Sequence, residues 1–177
     1  MDIGVISVRY ARALLKSSVE TGIEDKVYQE MLTVARSFIA VPELKHTLDN
    51  PMLAREKKQQ LLLASAGTEV SDLTKNFFAL VLKEGRENVM QFIANSFVTL
   101  YRQHKNIISG KLVTAAPVSD AAEQRMKQMV MSKTNGEVEF ETEINPDIIG
   151  GFVLEYDTYR MDASVKARLN SILSQLK

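Results

Sequence analysis

The hydrophobic period of this chain changes near Lys105, and that change restricts the architectures open to it. Ahead of it, apolar residues recur every three or four positions, the spacing of one helix face. Beyond it, the run Val138-Glu139-Phe140-Glu141-Thr142-Glu143-Ile144 alternates strictly, as in a strand with two unlike faces. The pattern predicts a mostly α protein, with an antiparallel bundle of about six helices over residues 1–105 and a small α+β domain over residues 106–177. The 177 residues suffice for one domain or two small ones.

The first helix is expected from about Val5 to Glu20, closed by Thr21-Gly22. At about 100° per residue, Ile6, Tyr10, Ala13 and Leu14 form one stripe, and Val8, Ala11, Leu15 and Val19 form another nearly opposite. So wide an apolar arc fits a helix sandwiched inside its own bundle, or one that keeps a stripe for a partner helix. Glu24-Asp25 opens a second helix along Val27, Met31, Val34 and Phe38, which Pro42 stops. Between Pro42 and Pro51 only a short helical piece fits, with Leu44 and Leu48 inward. A fourth helix, about Ala54 to Ala66, ends at Gly67, and its Lys57-Lys58-Gln59-Gln60 run reads as a solvated face.

Ser71 or Asp72 caps a fifth helix that ends before Gly85, a C′ glycine. Leu73, Phe77, Leu80 and Val81 share one stripe of it, while Phe78 and Leu82 stand well round the cylinder, so a second apolar strip remains. A sixth helix, about Asn88 to Lys105, is expected to bury Val89, Phe92, Ile93, Ser96, Phe97 and Leu100. Past the switch, Ile107 to Val118 is rich in β-branched residues and reads as a strand closed by Pro117. Ser119 or Asp120 caps a helix to about Thr134, where Asn135-Gly136 ends it. After the alternating strand come the turn Asn145-Pro146-Asp147, then Gly150-Gly151, then a strand carrying Phe152, Leu154 and Tyr156 on one face. Asp162 or Ser164 offers an N-cap for a last helix, with Val165, Leu169, Ile172, Leu173 and Leu176 at helical spacing.

Lys plus Arg and Asp plus Glu both number 22, so no basic excess exists to condense on a phosphate backbone, and nucleic-acid binding is not expected. Residues 1–106 carry 14 basic and 12 acidic residues and residues 107–177 carry 8 and 10, a contrast too small to place a boundary by itself. The absence of cysteine excludes disulfides and thiolate chemistry. The first fifteen residues lack the basic and continuous apolar regions of a secretory signal, and no run approaches the ~20 apolar residues of a membrane span. Membrane association is therefore expected to pass through partners, and a bacterial cytoplasmic protein is the simplest reading.

Candidate chemistry is sparse. Glu137, Glu139, Glu141 and Glu143 share one strand face about 7 Å apart, all pointing one way, whereas a cation wants carboxylates converging from different elements. A solvated sheet face is favoured, and a meeting with basic residues of a partner stays open. His46 and His104 stand in separate helical segments without a second ligand, so surface or helix-terminal histidines are the better reading. Gly110-Lys111 lacks the earlier glycine of a phosphate loop, and a strand follows both it and Gly150-Gly151. Nothing supports a catalytic residue, a cofactor or a metal. Two classes remain, a non-catalytic assembly subunit with surplus apolar helix surface, or a small ligand-binding or enzymatic helical domain without a recognisable site.

Three stretches carry a resemblance. Arg9-Tyr10-Ala11-Arg12-Ala13-Leu14, Asn76-Phe77-Phe78-Ala79-Leu80 through Glu84-Gly85-Arg86, and Ile148-Ile149-Gly150-Gly151-Phe152-Val153-Leu154 followed by Met161-Asp162-Ala163-Ser164-Val165 are similar to the delta subunit of F-type ATP synthases, called the oligomycin-sensitivity-conferring protein in mitochondria. Met161-Asp162-Ala163-Ser164 stands where that family usually has Ile-Asp-Gly-Ser. The resemblance covers essentially the whole chain. It implies a stator subunit on the cytoplasmic face of a bacterial plasma membrane, without direct membrane insertion. It further implies that a groove between the first and fifth helices grips an N-terminal helix of an alpha subunit, and that the C-terminal domain engages the b subunits of the peripheral stalk. The matching positions make Tyr10, Ala13, Leu14, Phe77, Leu80 and Val81 the expected alpha-subunit contact region, and Gly150, Gly151, Asp162 and Ser164 the C-terminal motif. Which stripe of each helix faces the bundle is left open by the sequence.

Overall fold

A computed structural model describes residues 3–134, 137–156 and 159–175, without the side chains of 132–134. The expected helix stop at Asn135-Gly136 and Leu176 of the last stripe lie outside the described residues. The chain divides into two compact units, Met1–Tyr101 and Arg102–Lys177.

The helices are α1 (Ile3–Thr21), α2 (Glu24–Ala40), α3 (Glu43–Asp49), α4 (Arg55–Ala66), α5 (Asp72–Lys83) and, after a 3₁₀ turn at Glu87–Val89, α6 (Met90–Lys105), whose residues from Arg102 on belong to the second unit. The predicted apolar positions of α2 and α3, Val27, Met31, Val34, Phe38, Leu44 and Leu48, are all buried, and α2 also buries Tyr28, Glu30 and Ala35. The end of α5 is held by a left-handed glycine. Gly85 has φ 61°, Arg86 N–H donates to the Val81 carbonyl, and Gly85 N–H donates to that of Leu82.

Three expectations change. The buried face of α1 is Ile6, Ser7, Ala11, Leu14 and Ser18, which straddles the two predicted stripes. Small side chains centre the contact there because they let neighbouring helices approach closely; Ser7 and Ser96 oxygens lie 3.4 Å apart. On α5, Phe78 and Leu82 join Thr74, Phe77 and Val81 in the core instead of forming an outer strip. On α6 the buried face is Met90, Ile93, Ala94, Phe97, Val98 and Tyr101, which turns Phe92 outward.

Polar groups tie these helices together. The Tyr28 and Tyr101 rings stack with centroids 4.1 Å apart, and the Tyr101 hydroxyl donates to Asp25 at 2.6 Å. Burial, then that hydrogen bond to a carboxylate, pushes the Tyr101 phenol well above its ordinary range. The Glu30 carboxylate, buried on α2, accepts from the Ser71 N–H at 2.6 Å and its hydroxyl at 2.8 Å. Ser71 Oγ in turn accepts from Thr74 N–H, so the cap of α5 is itself pinned to α2. Lys58 departs from the expected solvated face: it is 6% exposed, and its ammonium donates to Glu87 Oε1 at 2.7 Å.

The second unit holds β1 (Ile107–Thr114), α7 (Asp120–Thr134), β2 (Glu137–Ile144), a 3₁₀ turn at Pro146–Ile148, β3 (Phe152–Tyr156), β4 (Tyr159–Asp162) and α8 (Val165–Gln175). The sheet order is β2-β1-β3-β4, with β1 and β2 parallel across the α7 crossover and the other pairs antiparallel. Its core is Leu112, Val130, Val138 and Leu154, flanked by Val118, Met126, Met129, Phe140, Phe152 and Tyr156. β1 ends at Thr114 rather than near Pro117, and the exposed β4 is a fourth strand beyond the three expected. β4 has four residues and no buried face, so its short alternation Tyr159-Arg160-Met161-Asp162 is too brief to stand out as a strand.

Candidate functional site

The rings of Tyr10 and Phe77 meet edge-on, centroids 6.4 Å apart, which makes α1 and α5 neighbours. Of the six residues expected to meet a partner, Ala13 and Leu80 are exposed and Tyr10 is half-buried, whereas Leu14, Phe77 and Val81 are buried. Helical spacing puts Tyr10 and Ala13 at one edge of the buried face of α1, and Leu73 and Leu80 together at one edge of that of α5. Leu14, Phe77 and Val81 thus belong to the core, and Tyr10, Ala13 and Leu80 are the members of the set that keep surface open. Val8 and Val19 stay exposed on the opposite flank of α1.

The C-terminal motif forms a latch. Asn145 caps the 3₁₀ turn by accepting from the Asp147 N–H, and Ile148 is buried beneath it. Gly151 has φ 76°, and a Cβ there would collide with the Ala163 carbonyl oxygen and stand 3.2 Å from Ser164 Cα. Only a glycine lets the strand start close to the loop before α8. Across that contact Val165 N–H donates to the Gly150 carbonyl at 2.9 Å, and Ala163 N–H to that of Phe152. Asp162 accepts from Ser164 N–H, and Ser164 Oγ accepts from Ala167 N–H, capping α8. The hydrogen bonds from the Ser164 side chain and backbone hold the Asp162 carboxyl below its ordinary range.

Beyond the latch, α8 buries none of its described side chains: Val165, Leu169, Ile172 and Leu173 form an exposed apolar stripe. The exposed Ile149 was missed as a candidate, although it sits inside the motif. Lys58 and Glu87 were missed as a pair because they are far apart in sequence.

The acidic row is partly spent within its own unit. Arg102 donates through Nε and Nη2 to Glu139 Oε2, at 3.3 and 3.0 Å, and Lys111 pairs with Glu143. The hydrogen bond and charge of Glu143 raise the Lys111 pKa. No group of three or more His, Asp or Glu side chains among the described residues could hold a metal. His46 and His104 are exposed in the last turns of α3 and α6. Gly110 lies within β1, where a Cβ would stand 2.8 Å from the Phe140 ring, so its role is packing. A cleft of about 200 Å³ beside Met129, Tyr156, Tyr159 and Met161 is smaller than the roughly 300–1,000 Å³ of typical ligand pockets. No helix among the described residues is long and apolar enough to cross a membrane.

Residues 6–176 match the family described as ATP synthase delta (OSCP) subunit. The chain is 47% identical to ATP synthase subunit delta of Phocaeicola vulgatus over 99% of this chain and 95% of that one. It is 39% identical to ATP synthase subunit delta of Bacteroides fragilis at the same coverage. Its fold is similar to a chain in a cryo-EM structure of the Toxoplasma gondii mitochondrial ATP synthase hexamer, with a TM-score of 0.66, 22% identity and 96% of each chain covered. The family match over nearly the whole length, with relatives of this identity, shows that the chain belongs to the ATP synthase delta (OSCP) subunit family.

Proposed function

We propose that this chain, a non-catalytic stator subunit of the F-type ATP synthase, takes an N-terminal helix of an alpha subunit between α1 and α5 and holds the b subunits of the peripheral stalk through the Arg102–Lys177 unit. The observation that carries the first half is the Tyr10–Phe77 contact, which brings together the two helices bearing the family signatures. A helix laid on Tyr10, Ala13 and Leu80 excludes water from apolar surface. The second half rests on the latch at Gly150-Gly151, which fixes a helix whose apolar stripe stays exposed among the described residues.

The chemistry required of such a joint is none. A rotor delivers torque to the catalytic head only if the head is kept from turning with it, so the joint must bind tightly at both ends. The chain then works at the cytoplasmic face of a bacterial plasma membrane, attached through its complex and not by a span of its own.

Affinity capture of the tagged chain from solubilised membranes tests this reading. Alpha, beta and b subunits should co-purify, and Ala13→Glu should lose alpha and beta while keeping b. Capture of none of these subunits would contradict it.

A further inference from the structure

Ile149 is the β-branched residue that closes the 3₁₀ turn before Gly150, with φ 69° and ψ −42°. That region is rare and costly for a side chain branched at Cβ. Its side chain is nonetheless 62% exposed, so the strain is not offset by burial within the fold. Gly150, the next residue, accepts the backbone hydrogen bond of Val165, and Val165 begins the apolar stripe of α8. The exposed Ile149 thus stands one residue before this joint, and the exposed Val165, Leu169, Ile172 and Leu173 run from it along α8.

Helical spacing sets Lys166 on one side of that stripe and Arg168 on the other, and α8 carries no acidic residue. Both cations are exposed, and neither forms an ion pair with a described residue. An isolated helix of 11 residues is marginal in water, being shorter than about 12–15, so cover on its apolar stripe would stabilise it. A second copy of α8 would offer cations and no counter-charge. The charges fit an amphipathic helix whose apolar stripe is flanked by carboxylates.

We infer that the strained turn exists to present Ile149, together with the cation-flanked stripe of α8, to one acid-flanked amphipathic helix of the partner. This rests on the reading that the Arg102–Lys177 unit docks the stalk, and it adds which residue anchors the contact and what chemistry the partner helix carries. The outlier is explained as strain kept for binding.

The test uses the full-length chain and two kinds of probe in calorimetric titrations. One is the soluble part of the b subunit; the other is a pair of synthetic amphipathic helical peptides with the same Leu stripe, flanked by Glu in one and by Lys in the other. The Glu-flanked peptide should bind, more weakly as salt rises, and the Lys-flanked peptide should not. Ile149→Asn should weaken binding at least about tenfold, as expected for a lost apolar anchor. Its melting temperature should stay level or rise, since Asn tolerates positive φ better. Ile149→Met, which keeps an apolar side chain without the branch at Cβ, should bind as the unaltered chain does. Unchanged affinity of Ile149→Asn, a lowered melting temperature for it, or equal binding of both peptides would overturn the inference. Ile149-dependent binding of the Glu-flanked peptide without binding of the b subunit would instead refute the stalk reading alone.

Discussion

The Tyr10 ring stands edge-on to Phe77, with planes inclined at 68°, and this contact defines the face on which α1 and α5 meet. Phe77 is buried and Tyr10 half-buried, so one ring belongs to the core and the other to the rim above it. The apolar surplus of the two helices is smaller than their sequences suggest, because the bundle consumes Phe78 and Leu82. What remains on α5 is chiefly Leu80, 47% exposed.

The Lys58–Glu87 pair gives the bundle a measurable acid limb. Burial raises the Glu87 pKa, but the Lys58 hydrogen bond, its own backbone amide, and the Lys58 and Arg55 charges outweigh it and hold the carboxyl below its ordinary 4.5. A depressed folded value stabilises the fold above the unfolded pKa and is lost as pH falls through the folded one. Lys58→Met strands a half-buried carboxylate, one of whose oxygens is enclosed without a protein partner, and should cost about 1–3 kcal/mol near neutrality. Chemical denaturation at several pH values should show the gap to the unaltered chain narrowing below pH 4.5. A gap that stays constant with pH would argue against the pair.

Gly151→Val places a Cβ against the Ala163 carbonyl oxygen at φ 76°, where the backbone already disfavours side chains. Loss of more than about 2 kcal/mol is expected, confined to the second unit. Hydrogen exchange should show β3, β4 and the start of α8 losing protection while α1 to α5 keep theirs. Capture experiments should show loss of the stalk subunits with retention of the head.

Residues 1–105 should fold alone. They contain α1 to α6 entire, with the Tyr28–Tyr101 stack and the Asp25, Glu30 and Lys58 connections that tie the helices together. Circular dichroism of that fragment should show a cooperative melt; a gradual, non-cooperative one would count against the division drawn here.

The helices of the first unit were legible because Val27, Met31, Val34 and Phe38, like Leu44 and Leu48, keep a period that only one face can bury. The face of α1 was not, because serines at 7 and 18 and Ala11 line it, and close packing there favours small side chains over greasy ones. Lys58 looked solvated because its partner sits on a distant 3₁₀ turn, a relation that no local period encodes. The C-terminal motif was readable as a turn at Gly150-Gly151, and Gly151 indeed has positive φ. Ile149 escaped notice because β-branched residues are not expected at positive φ, so its strain emerges only from the backbone.

The central claim is that the α1–α5 face takes a helix from the catalytic head. Ala13 is exposed, so Ala13→Glu should leave the bundle folded while placing a charge in a desolvated contact, at about 2 kcal/mol or more if unpaired. Calorimetric titration with an alpha-subunit N-terminal peptide, circular dichroism serving as the fold control, measures this directly. Val8→Glu, on the opposite flank of α1, should leave the affinity unchanged. The account predicts that the peptide binds the unaltered chain and not Ala13→Glu. Full affinity in Ala13→Glu, or its loss in Val8→Glu instead, would contradict it.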